Sequence, residues 1–133
     1  MQTDNSNRRR HSRYRLAPMY TPVRVKFPDQ VEFELEGHAY NISEGGLQFE
    51  LDNGIPQGTP VAIEVTLPMG PGPAGWDATG PARTVVAYGN VIWMDNEEPG
   101  PVRMALAFTR FENPGDQDRL RERLATGRYA LAA

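Results

Sequence analysis

The feature that most constrains the fold is an alternation of apolar and polar residues with a period of two. In TPVRVKF, Val23, Val25 and Phe27 alternate with Arg24 and Lys26, and in VEFELE, Val31, Phe33 and Leu35 alternate with Glu32, Glu34 and Glu36. GLQFEL aligns Leu47, Phe49 and Leu51; VAIEVTL aligns Val61, Ile63, Val65 and Leu67; VRMALAF aligns Val102, Met104, Leu106 and Phe108. Successive strand side chains point to opposite faces, so each segment has one face to bury and one for water. RTVVAYGNVIWM, residues 83–94, is more continuously apolar and reads as one long strand bent at Gly89. Six such segments predict an antiparallel barrel or sandwich.

Turn chemistry separates the strands. Pro28-Asp29-Gln30 suits a tight hairpin, and Asp52-Asn53-Gly54 a turn with positive φ. Residues 68–81, PMGPGPAGWDATGP, contain eight Pro or Gly and predict a long surface loop; its Trp76 fits a folded-back plug better than a contact residue. One helix closes the chain over about residues 114–126. Asn113 is the expected N-cap and Pro114 the first helical residue, with Asp116 and Asp118 complementing the positive helix end, Leu120 and Leu124 sharing a face, and Gly127 ending it. A helix this short needs the barrel to hold it.

The chain's 133 residues are expected to form one domain over residues 8–128, behind a flexible polar tail at 1–7. It has no cysteine, and His11 and His38 are too few for a zinc cluster, so no metal site is expected. No apolar run approaches the roughly 20 residues that span a bilayer, and the first residues lack the apolar core of a secretory signal. A cytoplasmic protein without membrane insertion is the expectation. No Ser/His/Asp constellation, Walker loop or paired-His motif is present, so no catalytic residue is assigned and an enzyme is not expected.

The charge is uneven. Residues 1–30 hold six Arg and one Lys against Asp4 and Asp29, a local +5 that leaves −8 for the rest of a chain of net charge −3. A basic segment on an acidic body favours a local anion site over a broad nucleic-acid-binding face. Within NRRRHSRYR, residues 7–15, Arg9 and Arg13 stand four apart, preceded by Arg8. Guanidinium groups donate paired hydrogen bonds to phosphate oxygens or to the O6/N7 edge of guanine, and they stack on bases. A second motif, NISEGGLQF, brings Asn41 and Ser43 as short hydrogen-bonding side chains, and Gly45 and Gly46 as residues that allow positive φ and a close backbone approach. Taken alone, it reads better as an Asx/Ser turn in an ordinary hairpin.

Arg9-x-x-x-Arg13 at the start of a small β-barrel, followed some 30 residues later by Asn41-x-Ser43-x-x-Gly46, resembles the PilZ domain family. TPVRVKF, GGLQFEL, GNVIWM and MALAFTRF resemble its successive strands, and the likeness covers about residues 8–126. It implies an all-β fold with one C-terminal helix, a six-stranded antiparallel PilZ-like β-barrel. It also implies a receptor for cyclic di-GMP, a bacterial second messenger, with that ligand in place of any cofactor. Arg9 and Arg13 would hold phosphates and guanine edges, Asn41 and Ser43 the opposite guanine, and Gly45 and Gly46 would admit the ligand close to the backbone. In the family, an arginine in the place of Arg8 is associated with two intercalated ligand molecules, which implies that stoichiometry here. Trp93 lies where a family aromatic can face the ligand; the barrel core is the equal alternative. One departure is Asn41, where aspartate is commoner.

The expected mechanism has residues 1–12 mobile without ligand and clamped across the barrel with it, creating a surface for a downstream protein partner that controls motility, attachment or exopolysaccharide production. The alternatives are a small β-barrel nucleic-acid-binding protein with a basic N-terminal arm, which the acidic body disfavours, and a PilZ-shaped adaptor with no ligand.

Overall fold

The computed structural model describes residues 13–16, 21–67, 84–97 and 99–125. They form strands β1 (Tyr14–Arg15), β2 (Pro22–Lys26), β3 (Leu35–Ser43), β4 (Gly46–Leu51), β5 (Pro60–Thr66), β6 (Thr84–Asp95) and β7 (Val102–Phe111), and helix α1 (Asp116–Leu124). Six strands close on one another in the order β3-β2-β5-β6-β7-β4, with β4 returning to β3, and every pairing is antiparallel. The alternation allowed a barrel or a sandwich; the closed six-stranded barrel with one C-terminal helix is the arrangement that the PilZ resemblance implied.

The alternating apolar residues line the interior. Val23 and Val25, Leu47, Phe49 and Leu51, Val61, Ile63 and Val65, and Val102, Met104 and Leu106 are all buried. Leu120 and Leu124 of α1 join the same cluster. Full burial of a leucine side chain is worth about 1.5–3 kcal/mol, which holds a nine-residue helix that would not be stable alone.

Several local expectations are corrected. VEFELE is a strand only from Leu35; Val31 is 87% exposed. Pro28 and Asp29 do form a turn, closed by Gln30 N–H donating to Phe27 O at 2.9 Å, but β3 resumes pairing only at Leu35, so the connection is longer than a tight hairpin. The intervening residues lie over the basic outer face of β2, with the Lys26 ammonium 5.1 Å from the centre of the Phe33 ring. The positive-φ glycines among the described residues are Gly58, Gly100 and Gly115, so Gly54, Gly45 and Gly46 are not left-handed. At Gly54 smallness matters instead, since a Cβ there would sit 2.9 Å from Met94 Sδ.

Asn113 does not cap the helix and Pro114 is not its first residue. Gly115, with φ of 85°, precedes Asp116, and Asn113 ties to the first turn by donating from Nδ2 to Asp116 Oδ2 at 3.2 Å. The left-handed glycine forces the chain to turn once more before helical geometry begins. The tail, the 68–81 loop with Trp76, and Gly127 lie outside the described residues.

Candidate functional site

The alternation in β3 breaks in one place, and the break builds the site. Ala39 pairs with Phe49 while Asn41 pairs with Gln48, so Tyr40 is an extra residue in the ladder. Strict alternation would bury Asn41 with Ala39. The bulge resets the phase: Ala39 and Ile42 are buried, and Tyr40 and Asn41 are both half-exposed. The same device operates on β6, where Val91 pairs with Leu106 and Trp93 with Ala105, leaving Ile92 extra. Val91 is buried, while Ile92 and Trp93 are 49% and 37% exposed. Trp93 therefore sits on the outer face, which overturns the core alternative for it.

These bulges align Asn41, Gln48, Ala105 and Trp93 as successive cross-strand neighbours over β3, β4, β7 and β6. A second row, two residues on, runs through Ser43, Gly46, Ala107 and Asn90. Small residues at 46, 105 and 107 make the floor low between the polar end and the tryptophan. A cavity of about 430 Å³ opens there, lined by Arg13, Asn41, Ser43, Gly45, Gly46 and Trp93, together with Gln48, Ile92 and Phe108. That size falls in the usual range of small-molecule sites. Among its described lining residues Arg13 carries the only charge.

Arg13 reaches the cavity through β1, a two-residue strand that the alternation could not reveal. Tyr14 pairs with Ile42 and Arg15 with Asn41, so Arg13 is one step beyond the ladder, opposite Ser43. Strand β3 accommodates this by changing partners along one edge, pairing first with β2 and then with β1. Ala39 N–H donates to Thr21 O and Leu16 N–H to Tyr40 O, each at 2.9 Å, at the handover.

The motif turn is held from several sides. Ser43 is buried to 8% exposure and its Oγ accepts from Gly45 N–H at 3.0 Å, the hydroxyl turn expected of the sequence. Gly45 O accepts from Phe108 N–H at 2.9 Å, pinning the turn to β7. A Cβ on Gly46 would meet Leu106 O at 2.5 Å, so close backbone approach, not positive φ, is what this position requires. Glu44 is tied to α1: Arg121 donates from Nε to Glu44 Oε2 at 2.6 Å and also pairs with Asp118. The Glu44 carboxylate raises the Arg121 pKa above its already high ordinary value.

Of the expected site residues, the structure brings Arg13, Asn41, Ser43, Gly45, Gly46 and Trp93 to one cavity, while Arg8 and Arg9 lie outside the described residues. Gln48, Ile92, Ala105 and Phe108 were not anticipated. Gln48 was within reach of the sequence: a two-residue turn at Glu44–Gly45 sets Ser43 against Gly46, and counting back places Gln48 near Asn41. Among the described residues no group of histidine and carboxylate side chains is placed to hold a metal ion, and no helix is long and apolar enough to cross a membrane.

The family model of the PilZ domain matches residues 7–125, nearly the whole chain, including both motifs. This chain belongs to the PilZ domain family. Comparison with curated proteins gives no match. Among solved structures, the Bacillus subtilis inhibitor of motility MotI/DgrA superposes with a TM-score of 0.62 at 22% identity, over 87% of this chain and 48% of that one. The PilZ domain with c-di-GMP of YcgR from Escherichia coli gives 0.55 at 19% identity, over 91% of each chain. The K. pneumonia MrkH–c-di-GMP complex gives 0.57 at 14% identity, over 93% of this chain and 52% of that one. At these identities the likeness is one of fold, and this PilZ chain spans about half the length of MotI/DgrA and of MrkH.

Proposed function

We propose that this PilZ protein is a cyclic di-GMP receptor whose pocket is completed by its N-terminal arginine segment. The observation that carries the reading is the β1 ladder, which brings Arg13 opposite Ser43 at the rim of the cavity that Asn41, Gly46 and Trp93 line. A cationic fork, two neutral hydrogen-bonding side chains, a glycine floor and an aromatic wall suit a ligand made of phosphates and guanines. That YcgR's PilZ domain and MrkH have been solved with c-di-GMP supports the same choice.

In this reading Arg9 and Arg13 grip phosphates and guanine edges, and Asn41 and Ser43 bind the opposite guanine. Arg8 provides for a second, intercalated ligand molecule. Binding neutralises the arginines and clamps residues 1–12 across the barrel, and the ordered segment signals to a downstream protein that controls motility, attachment or exopolysaccharide production.

Calorimetric titration with cyclic di-GMP tests the site. The wild-type chain is expected to bind two molecules per protomer, and Arg9→Ala and Arg13→Ala each to cost about 1–3 kcal/mol for a lost bidentate contact. No binding by the wild-type chain, or binding that survives both substitutions, overturns the assignment. One ligand per protomer removes the role given to Arg8. Hydrogen exchange in residues 1–12 that is the same with and without saturating ligand removes the switch.

A further inference from the structure

Asn41 places an amide where the motif more often has a carboxylate. A carboxylate is an acceptor on both oxygens, however it is turned. An amide is an acceptor on one side and a donor on the other, so its orientation decides what it can bind. Here the orientation is tied to Gln48. The turn at Glu44–Gly45 sets the two residues across from each other, and Asn41 Nδ2 donates to Gln48 Oε1 at 3.0 Å. Both side chains line the cavity on the outer face of the barrel. The bond from Asn41 Nδ2 to Gln48 Oε1 fixes which way each amide is turned, and it leaves Asn41 Oδ1 wholly free of this contact as an acceptor and Gln48 Nε2 as a donor.

We propose that Gln48 is a specificity-determining residue of the site: it holds Asn41 as an acceptor and stands beside it as a donor, so that the pair reads guanine. This inference rests on the cyclic di-GMP reading. Guanine offers N1–H and N2–H donors beside the O6 acceptor, whereas adenine offers the N1 acceptor beside an N6 donor. Asn41 Oδ1 matches the guanine N1–H and Gln48 Nε2 matches O6. Adenine in the same place sets acceptor against acceptor and donor against donor. Both amides turned over together would match adenine; the arrangement in the structure matches guanine. Without Gln48, the Asn41 amide loses the partner that orients it, and affinity and base preference fall together.

The test is calorimetric titration of the full chain with cyclic di-GMP and with cyclic di-AMP. The wild-type protein is expected to prefer the guanine ligand. Gln48→Leu, which removes both the acceptor for Asn41 and the donor for O6, is expected to weaken cyclic di-GMP binding about tenfold and to shrink the preference. Asn41→Asp is the control for orientation, because a carboxylate needs none. In the Asn41→Asp background Gln48→Leu is expected to cost less than it does alone, and that non-additivity separates positioning from a loss of folding. Equal wild-type affinity for the two ligands, or an affinity and preference unchanged by Gln48→Leu, overturns the inference while leaving the receptor reading intact. Absence of cyclic di-GMP binding by the wild-type chain overturns both.

Discussion

Tyr14 lies directly across from Ile42, and this pair, in a ladder only two residues long, joins the arginine segment to the barrel. Leu16 N–H donates to Tyr40 O at 2.9 Å. Antiparallel ladders alternate between bonded and non-bonded pairs, so Tyr14 and Ile42 form the next bonded pair. Proline at position 14 removes that donor. The closed six-strand barrel does not depend on β1, so Tyr14→Pro is expected to leave the cooperative melt intact while weakening cyclic di-GMP binding at least about tenfold, as for one lost bidentate arginine contact. Circular dichroism and calorimetry on the same sample decide this; unchanged affinity would show that Arg13 needs no strand to hold it.

Trp93 separates stability from binding in the same way. It is 37% exposed on the outer face and contributes nothing to the buried cluster. A base stacked on an aromatic side chain is worth about 1–3 kcal/mol by alanine substitution. Trp93→Ala is expected to weaken cyclic di-GMP binding by that amount and to shift the urea midpoint little. A large loss of stability with affinity retained would assign Trp93 to packing instead.

The period-two pattern made the barrel legible because core residues fall two apart in long runs: Val23 and Val25 in β2, Leu47, Phe49 and Leu51 in β4, Val61, Ile63 and Val65 in β5, and Val102, Met104 and Leu106 in β7. It could not show where alternation is broken. The bulges at Tyr40 and Ile92 each insert one residue that looks like any other in sequence, and each turns a site residue outward. Read by parity alone, Trp93 continues Val85, Ala87, Gly89 and Val91 into the core, which is why its place stayed open. Strand β1 was hidden for a different reason: two residues are too few to carry a period. The motif spacing nonetheless placed Arg13 with Asn41 and Ser43, and the structure brings the three to one cavity. At α1, local capping preferences favoured Asn113, and the left-handed turn at Gly115 overrode them.

Gly89 sits where the backbone of β7 leaves no room for a side chain on β6. The ladder shifts there because Thr109 is extra on β7, and Thr109 Oγ1 donates to Tyr88 O at 3.1 Å. A Cβ on Gly89 would fall on Ala107 O, a backbone atom that cannot swing aside. Gly89→Ala is expected to destabilise the barrel by about 1–3 kcal/mol, the range for overpacking, read as a fall in the urea midpoint. Because Ala107 borders the cavity floor, affinity for cyclic di-GMP should fall as well. A stability equal to wild type would mean that β6 and β7 can separate locally without cost.

Two tyrosines on the outer face each donate to a carboxylate beside an arginine. Tyr40 donates its hydroxyl to Glu50 Oε1 beneath the Arg103 guanidinium, which lies 4.1 Å from the ring centre. Tyr88 repeats the arrangement, donating to Glu112 at 2.6 Å with Arg110 at 3.8 Å. In both, the hydrogen bond to the carboxylate raises the phenol pKa above 10.0, burial adds to this, and the neighbouring arginine opposes it. The folded chain then holds these protons more tightly than the unfolded chain. The stabilisation is complete below the unfolded value of about 10 and is lost as pH rises through the higher folded values. Melting temperatures followed from about pH 9 to about pH 11.5 are expected to fall more steeply above about pH 10 for the wild type than for the double variant Tyr40→Phe/Tyr88→Phe, which has no phenols to titrate at these sites. Parallel curves for the two proteins would show that the tyrosine–carboxylate bonds do not couple to folding.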